Sequence, residues 1–114
     1  INDAADDYPD FALKVAEKVA QQKNAMGVLL CRSAAGMVIA ANKVKGVRAV
    51  AAFDVKSAEH SRQHNDANVL ALSGDWMNEE QAKQVLTAWL ETPFSGEERH
   101  ARRLRKIAEY EKRS

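Results

Sequence analysis

One cysteine, three histidines and a spaced pair of arginines are the side chains of this 114-residue chain best suited to chemistry. Cys31 ends a short apolar run, Val28-Leu29-Leu30, and enters the turn Arg32-Ser33-Ala34-Ala35-Gly36. The next residues, Met37-Val38-Ile39-Ala40-Ala41-Asn42-Lys43, read as helix. A strand that delivers a thiol to the start of a helix sets it beside unpaired backbone N–H groups and the positive end of the helix dipole. That placement predicts a thiol of lowered pKa, able to act as a base, with donors ready for an oxyanion. The competing reading is a lone cysteine buried as a small hydrophobe. His60 and His64 stand four apart, as a zinc pair would, but no further ligand set at matching spacing and no zincin glutamate accompanies them. No metal is expected, and His60 reads as solvent-facing. Arg99 and Arg103, also four apart, share a helix face and suit a phosphate.

These side chains need elements to hold them. Pro9 can open a helix, and Phe11, Ala12, Val15, Ala16, Val19 and Ala20 make an apolar stripe that predicts an amphipathic helix over 10–23. Residues 28–31 read as a buried strand, 35–44 as a helix, and 47–53, following Gly46, as a second strand. Asp54 can cap a helix running through Asn65, and Asn68-Val69-Leu70-Ala71-Leu72 is a third strand ending at Ser73-Gly74. Asn78 with Gln81 forms a capping-box signature for a helix that stops before Pro93, with Trp89 in its buried stripe. Ser95 with Glu98 repeats that signature for a last, weakly apolar helix reaching Tyr110 or beyond. Trp76 reads as a partly exposed anchor. The alternation predicts an α/β fold: a three-layer, Rossmann-like parallel sheet with three strands in this chain, right-handed helical crossovers and a C-terminal helical arm. Ligands of such sheets bind at the carboxyl ends of the strands, where Cys31, Asp54 and Ser73 fall.

The chain is 46% hydrophobic and 29% charged, with 17 Lys+Arg against 16 Asp+Glu, the composition of an ordinary globular domain with no bias toward nucleic acid. Its length fits one domain that buries roughly two-thirds of its unfolded surface. A single cysteine excludes an internal disulfide framework, and no apolar run is long enough for a membrane span or a signal-peptide core, so a reducing, cytoplasmic setting is expected. Charge is nevertheless uneven. Asp3, Asp6, Asp7 and Asp10 crowd the first ten residues, whereas Arg99, Arg102, Arg103, Arg105, Lys106, Lys112 and Arg113 outnumber Glu109 and Glu111 at the other end. That basic helix reads as an oligomer arm or a phosphate site. Nucleic acid is a poor fit because aromatic residues are not interleaved with the charges. Gly36 stands alone in its turn, so a dinucleotide fingerprint is absent.

Several segments together resemble the ribose-5-phosphate isomerase type B family, which also contains galactose-6-phosphate isomerase subunits. They are Asp7-Tyr8-Pro9-Asp10-Phe11-Ala12, the Cys31 turn leading to Ala40-Ala41-Asn42-Lys43, Gly46-Val47-Arg48-Ala49, Ser61-Arg62-Gln63-His64-Asn65-Asp66-Ala67-Asn68-Val69-Leu70, Thr92-Pro93-Phe94 and Arg99-His100-Ala101-Arg102-Arg103. The resemblance covers essentially the whole chain in order. It implies a cytoplasmic, metal-free and cofactor-free enzyme that interconverts phosphorylated aldoses and ketoses through an enediolate, as a homodimer or homotetramer whose active sites draw on two subunits. The resemblance makes Cys31 the base that removes the proton beside the carbonyl and Ser33 the assisting hydroxyl. The turn residues Arg32, Ala34, Ala35 and Gly36 then face the substrate and hold its enediolate oxygen through their N–H groups. His64 takes part in opening the sugar ring, Asn65 contacts the sugar, and Arg99 and Arg103 grip the phosphate.

Two departures accompany the resemblance. The family turn reads Cys-Gly-Thr-Gly-x-Gly, so Ser33 replaces a threonine, and Arg32 and Ala34 replace glycines. Where such a position needs positive φ, the replacement costs about 1 kcal/mol or more. Arg32 could instead hold the Cys31 thiolate or bind a different anion. The family also begins with a strand, an Asp-His-x-Gly turn, a helix and a second strand that have no counterpart before residue 10. The single α/β domain is therefore expected to be incomplete at its N-terminus, an expectation that the opening Ile1 supports. With family strand order 2-1-3-4-5, the three strands here should lie side by side in chain order, with 28–31 as an unpaired apolar edge. These departures leave a second reading open, a non-catalytic relative that binds a sugar phosphate or partners another chain.

Overall fold

A computed structural model of the chain describes residues 7–113. The acidic Asp3 and Asp6 and the opening Ile1 lie outside the described residues. The elements follow in the order α1 (Tyr8–Gln21), β1 (Gly27–Cys31), α2 (Ala35–Ala41), β2 (Ala49–Ala51), α3 (Val55–Asn65), β3 (Val69–Ser73), α4 (Glu79–Glu91) and α5 (Glu98–Glu111). The strands form one parallel sheet. Its order, β1-β3-β2, differs from the chain order expected of the sequence. The reason lies in β3: Val69, Leu70, Ala71, Leu72 and Ser73 are all buried, as only a strand covered on both faces and flanked on both edges can be. The β2 segment is also shorter than the expected 47–53. Its run is cut where Asp54 turns the chain into α3, its side chain accepting a hydrogen bond from the Ser57 N–H at 2.7 Å.

Side chains of β3 alternate between two cores, as the period of a strand requires. Val69 and Ala71 join Leu29, Ala49 and the small inward residues of α1 and α2, namely Ala12, Ala16, Val19, Met37 and Ala41. Leu70 and Leu72 join Ala52, Ala58, Met77, Val85 and Trp89 beneath α3 and α4. The two layers of helices thus sandwich the sheet. Gly27 permits the close approach of α1, since a Cβ there would lie 2.8 Å from a Val15 methyl. Trp89 is fully buried with the Arg62 guanidinium 5.9 Å from its ring, and Trp76 is largely exposed, both as the sequence suggests.

β1 lies at one edge, with Leu30 70% exposed. At the other edge, the Asn42 side chain accepts from the Ala49 N–H at 2.7 Å and donates to the Ala49 carbonyl at 3.0 Å, closing β2 as a further strand would. The α4 capping box forms with both its hydrogen bonds. The one expected from Ser95 and Glu98 does not: α5 begins at Glu98 with Glu97 as a cap that makes no side-chain bond. The Ser95 hydroxyl is engaged instead by the Glu97 N–H at 3.2 Å and by the buried His100 ring at 2.8 Å. No described helix is long and apolar enough to cross a membrane.

Candidate active site

Cys31 and Ser73 are register partners at the carboxyl ends of β1 and β3. From there the chain leaves β1 toward α2, on one face of the sheet, and leaves β3 toward α4, on the other. Neighbouring strands whose exits diverge in this way open a crevice at their carboxyl ends, the place where α/β sheets bind ligands. Ser73 itself is buried beneath that crevice.

The loop after β3 is fastened to the Cys31 turn. The Gly74 N–H donates to the Cys31 carbonyl at 2.7 Å and the Asp75 N–H donates to the Arg32 carbonyl at 3.1 Å. The Ser73 hydroxyl also donates to that Arg32 carbonyl. The Arg32 guanidinium points outward, 87% exposed, and lies 3.6 Å from the Asp75 carboxylate. Arg32 therefore stands at the rim of the crevice, tied to the opposite loop. Ser33 is exposed beside it.

Ala34 has φ of +78° and caps α2. It is one of the two positions where the related pattern has glycine, and its left-handed backbone carries the strain that the sequence led us to expect. Its methyl group is buried in the core, which offsets part of that strain. Gly36 has a separate reason to be glycine. A Cβ there would meet the Tyr8 hydroxyl at 2.5 Å, so the absence of a side chain lets Tyr8 lie against the turn. No role for Tyr8 could be read from its sequence position, because the contact joins residues 28 apart in the chain.

The thiol departs from expectation. The Cys31 pKa is raised, because burial between α2 and β3 outweighs the hydrogen bond from the Ala34 backbone. The thiol proton is held on the Leu72 carbonyl at 3.5 Å. The helix that was to lower the pKa is only seven residues long. Cys31 thus rests as a protonated thiol and, once ionised, is a stronger base than an ordinary thiolate.

The remaining candidates gather elsewhere. His64 and Asn65 end α3, just before the chain turns through Asp66, in the left-handed conformation with φ of +47°, to enter β3 at Val69. Arg48 and Arg62 both pair with the Asp66 carboxylate, at 3.4 and 3.1 Å, and fix this corner. His64 is stacked between two other imidazoles, with ring centroids 3.9 Å from His60 and 4.2 Å from His100. His60 is exposed, as expected from the pattern. The His64 pKa is lowered, chiefly by desolvation and then by His60, His100 and Arg99, with Glu97 acting in the opposite direction. Arg99 pairs with Glu97 at 3.2 Å, and Arg103 is exposed one turn further along α5. Asn65 lines a groove of about 570 Å³ between α5 and β2, with Asn42, Val50, Leu104 and Ile107.

His64, Asn65 and Arg99 therefore belong to the amino edge of the sheet and Cys31 to its carboxyl edge. The four residue steps of β3 from Val69 to Ser73 separate the edges by about 13 Å at the rise of a strand. The candidate residues thus fall into two separate groups. The first holds a base and a turn of backbone donors; the second holds an imidazole, an amide and guanidinium groups fit for a hydroxyl and a phosphate.

The profile of the family described as Ribose/Galactose Isomerase matches residues 1–107. A putative sugar phosphate isomerase of Bacillus subtilis is 44% identical over 108 residues, covering 95% of this chain and 72% of the relative. The ribose-5-phosphate isomerase B of Escherichia coli is 43% identical over 107 residues, covering 94% and 71%. Among solved structures, the type B ribose 5-phosphate isomerase of Trypanosoma cruzi superposes with a TM-score of 0.93 at 49% identity, covering 96% of this chain and 73% of that one. The ribose-5-phosphate isomerase B of Mycoplasma genitalium with bound ribulose-5-phosphate superposes with a TM-score of 0.94 at 43% identity, covering 100% and 75%.

Proposed function

The chain belongs to the ribose/galactose isomerase family, and on that premise we propose that it interconverts a phosphorylated aldose and ketose of the ribose 5-phosphate and ribulose 5-phosphate type. The observation that carries this reading is the Cys31 turn at the crevice between β1 and β3, which unites a proton acceptor with oriented backbone donors. Cys31, once ionised, takes the C2 proton of the ring-opened aldose. The electron pair moves into a C1–C2 double bond and the charge settles on O1, where the N–H groups of residues 34–36 receive it. Return of the proton from Cys31 to C1, with transfer of the O2 proton to O1 by way of the Ser33 hydroxyl, gives the ketose. C1 is reduced as C2 is oxidised, so the exchange is internally balanced and calls on no redox group.

His64 opens the furanose ring before this step, Asn65 holds the sugar, and Arg99 and Arg103 hold the phosphate. Because these groups sit at the far edge of the sheet from Cys31, the reading includes a second copy of the chain. The Cys31 turn of one copy faces the His64 corner of the other, in a homodimer or a larger homo-oligomer with α5 as the arm between copies. The domain 1–114 works in this reading as one α/β unit. Its single cysteine supports a reducing, cytoplasmic setting.

An aldose-ketose assay on ribose 5-phosphate tests the proposal. The parent chain turns over, and Cys31→Ala loses about 10²- to 10⁴-fold in kcat/KM, the range for removal of a general base. Phosphate-ester binding by the parent without turnover would instead support the non-catalytic reading that Arg32 and Ala34 left open.

A further inference from the structure

The stack of imidazoles at the α3–α5 corner has a buried foundation. His100, 3% exposed, is the innermost of the three rings and lies against His64 at a 26° interplanar angle. Its Nδ1 is 2.8 Å from the Ser95 hydroxyl. Ser95 is held from two sides: its own N–H donates to the Gln63 carbonyl, one residue before His64, at 3.2 Å, and its hydroxyl oxygen accepts from the Glu97 N–H at 3.2 Å. The Ser95 hydroxyl joins the Glu97 N–H to the His100 ring. Ser95 thus bridges the end of α3, the start of α5 and the ring between them. It gives up the capping position that its spacing from Glu98 would have offered it.

We propose that Ser95 and His100 are a positioning pair for His64, setting from the buried side the orientation in which the His64 imidazole meets the ring of a sugar phosphate. The inference rests on the ring-opening role given to His64 above. A ring held between two neighbours has little freedom to turn, and a misplacement of about 1 Å at a reacting group can cost of order a hundredfold in rate. The charged and titratable groups facing His64 are His60 on α3, His100 and Arg99 on α5, and Glu97 at the cap. The three cationic or ionisable neighbours disfavour its protonation and Glu97 favours it. The same arrangement therefore keeps His64 neutral and able to accept a hydroxyl proton.

The two halves of the reaction separate in experiment. Ribulose 5-phosphate has its carbonyl at C2 and its O5 esterified, so no hydroxyl can close a stable ring, and deuterium uptake at its C1 from heavy water requires only the Cys31 step. Conversion of ribose 5-phosphate also requires ring opening. Ser95→Ala and His100→Asn are expected to slow ribose 5-phosphate conversion by roughly 10- to 100-fold with C1 exchange near the parent rate. Ser95→Thr, which keeps the hydroxyl, restores conversion. Imidazole NMR is expected to show the His64 titration midpoint moving up toward its ordinary value in Ser95→Ala and staying at the parent position in Ser95→Thr. Equal loss of both rates in Ser95→Ala, or no loss of conversion in Ser95→Ala when His64→Asn is impaired, overturns the positioning pair alone. Unimpaired conversion by His64→Asn overturns both the pair and the ring-opening role on which it rests.

Discussion

Cys31 and His64 stand at opposite edges of the same parallel sheet, Cys31 closing β1 at its carboxyl end and His64 in the last turn of α3, where the chain returns to the amino edge. The length of β3 separates them within one chain, and no side-chain rearrangement spans a strand. The proposed reaction uses both groups at one sugar, which is why a second copy of the chain is part of that proposal.

The resting state of the thiol sets a pH dependence. Burial raises the Cys31 pKa, so the thiolate fraction, and with it kcat/KM, should climb through neutral pH and level off only above the ordinary thiol range of about 8.5. The stability effect has the opposite sense. A pKa higher in the folded than in the unfolded chain adds stability that is fully present below the unfolded value and is lost as pH rises through the folded one. Thiolate absorbance should give the same midpoint as the rate profile, and Cys31→Ala should lose the alkaline decline in stability.

Ala34 offers a test of strain. Replacing it by glycine relieves a left-handed backbone worth about 1–2 kcal/mol. It also forfeits about 0.8 kcal/mol of buried methyl and roughly 0.4–1 kcal/mol of unfolded-state entropy. These nearly cancel, so Ala34→Gly should leave the denaturation midpoint almost unchanged. Ala41→Gly, at a fully buried helical position, has no strain to relieve and should cost about 1.5–2 kcal/mol. Urea melts of the two variants decide the matter; a similar loss in both would mean that Ala34 is unstrained.

Asn42 is expected to matter for stability far more than for turnover. Its amide satisfies both the N–H and the carbonyl of Ala49 at the open edge of β2. Asn42→Ala should cost about 1–3 kcal/mol, the range for stranding part-buried polar groups, and should raise amide exchange at Ala49. KM for the sugar phosphate should not move.

Much of this architecture is legible in the residues, and the exceptions have physical causes. Asp54 and Asn78 cap the helices that their spacing announces, each accepting from the backbone N–H three residues on. Ser95 fails to cap because an imidazole five residues away competes for its hydroxyl. The central place of β3 could have been suspected from its unbroken apolar run, whereas chain order and family analogy pointed to 47–53. The Cys31 turn could be located from sequence, but the sign of the thiol's pKa shift could not, since it depends on how much of α2 and β3 closes over the sulfur. Asp66, adjacent to functional candidates, proves to be the clasp of Arg48 and Arg62. Its role is one of position and is invisible in a string of residue types.

The most direct test of the account is complementation between two inactive chains. Cys31→Ala and His64→Asn variants, each too slow on ribose 5-phosphate to be useful, are refolded together in equal amounts. If each site takes Cys31 from one copy and His64 from another, a mixed dimer rebuilds one intact site of its two, and activity should return to about a quarter of the parent value for random pairing. Activity no greater than the sum of the separate variants, with mixed dimers shown to have formed, would contradict the shared site.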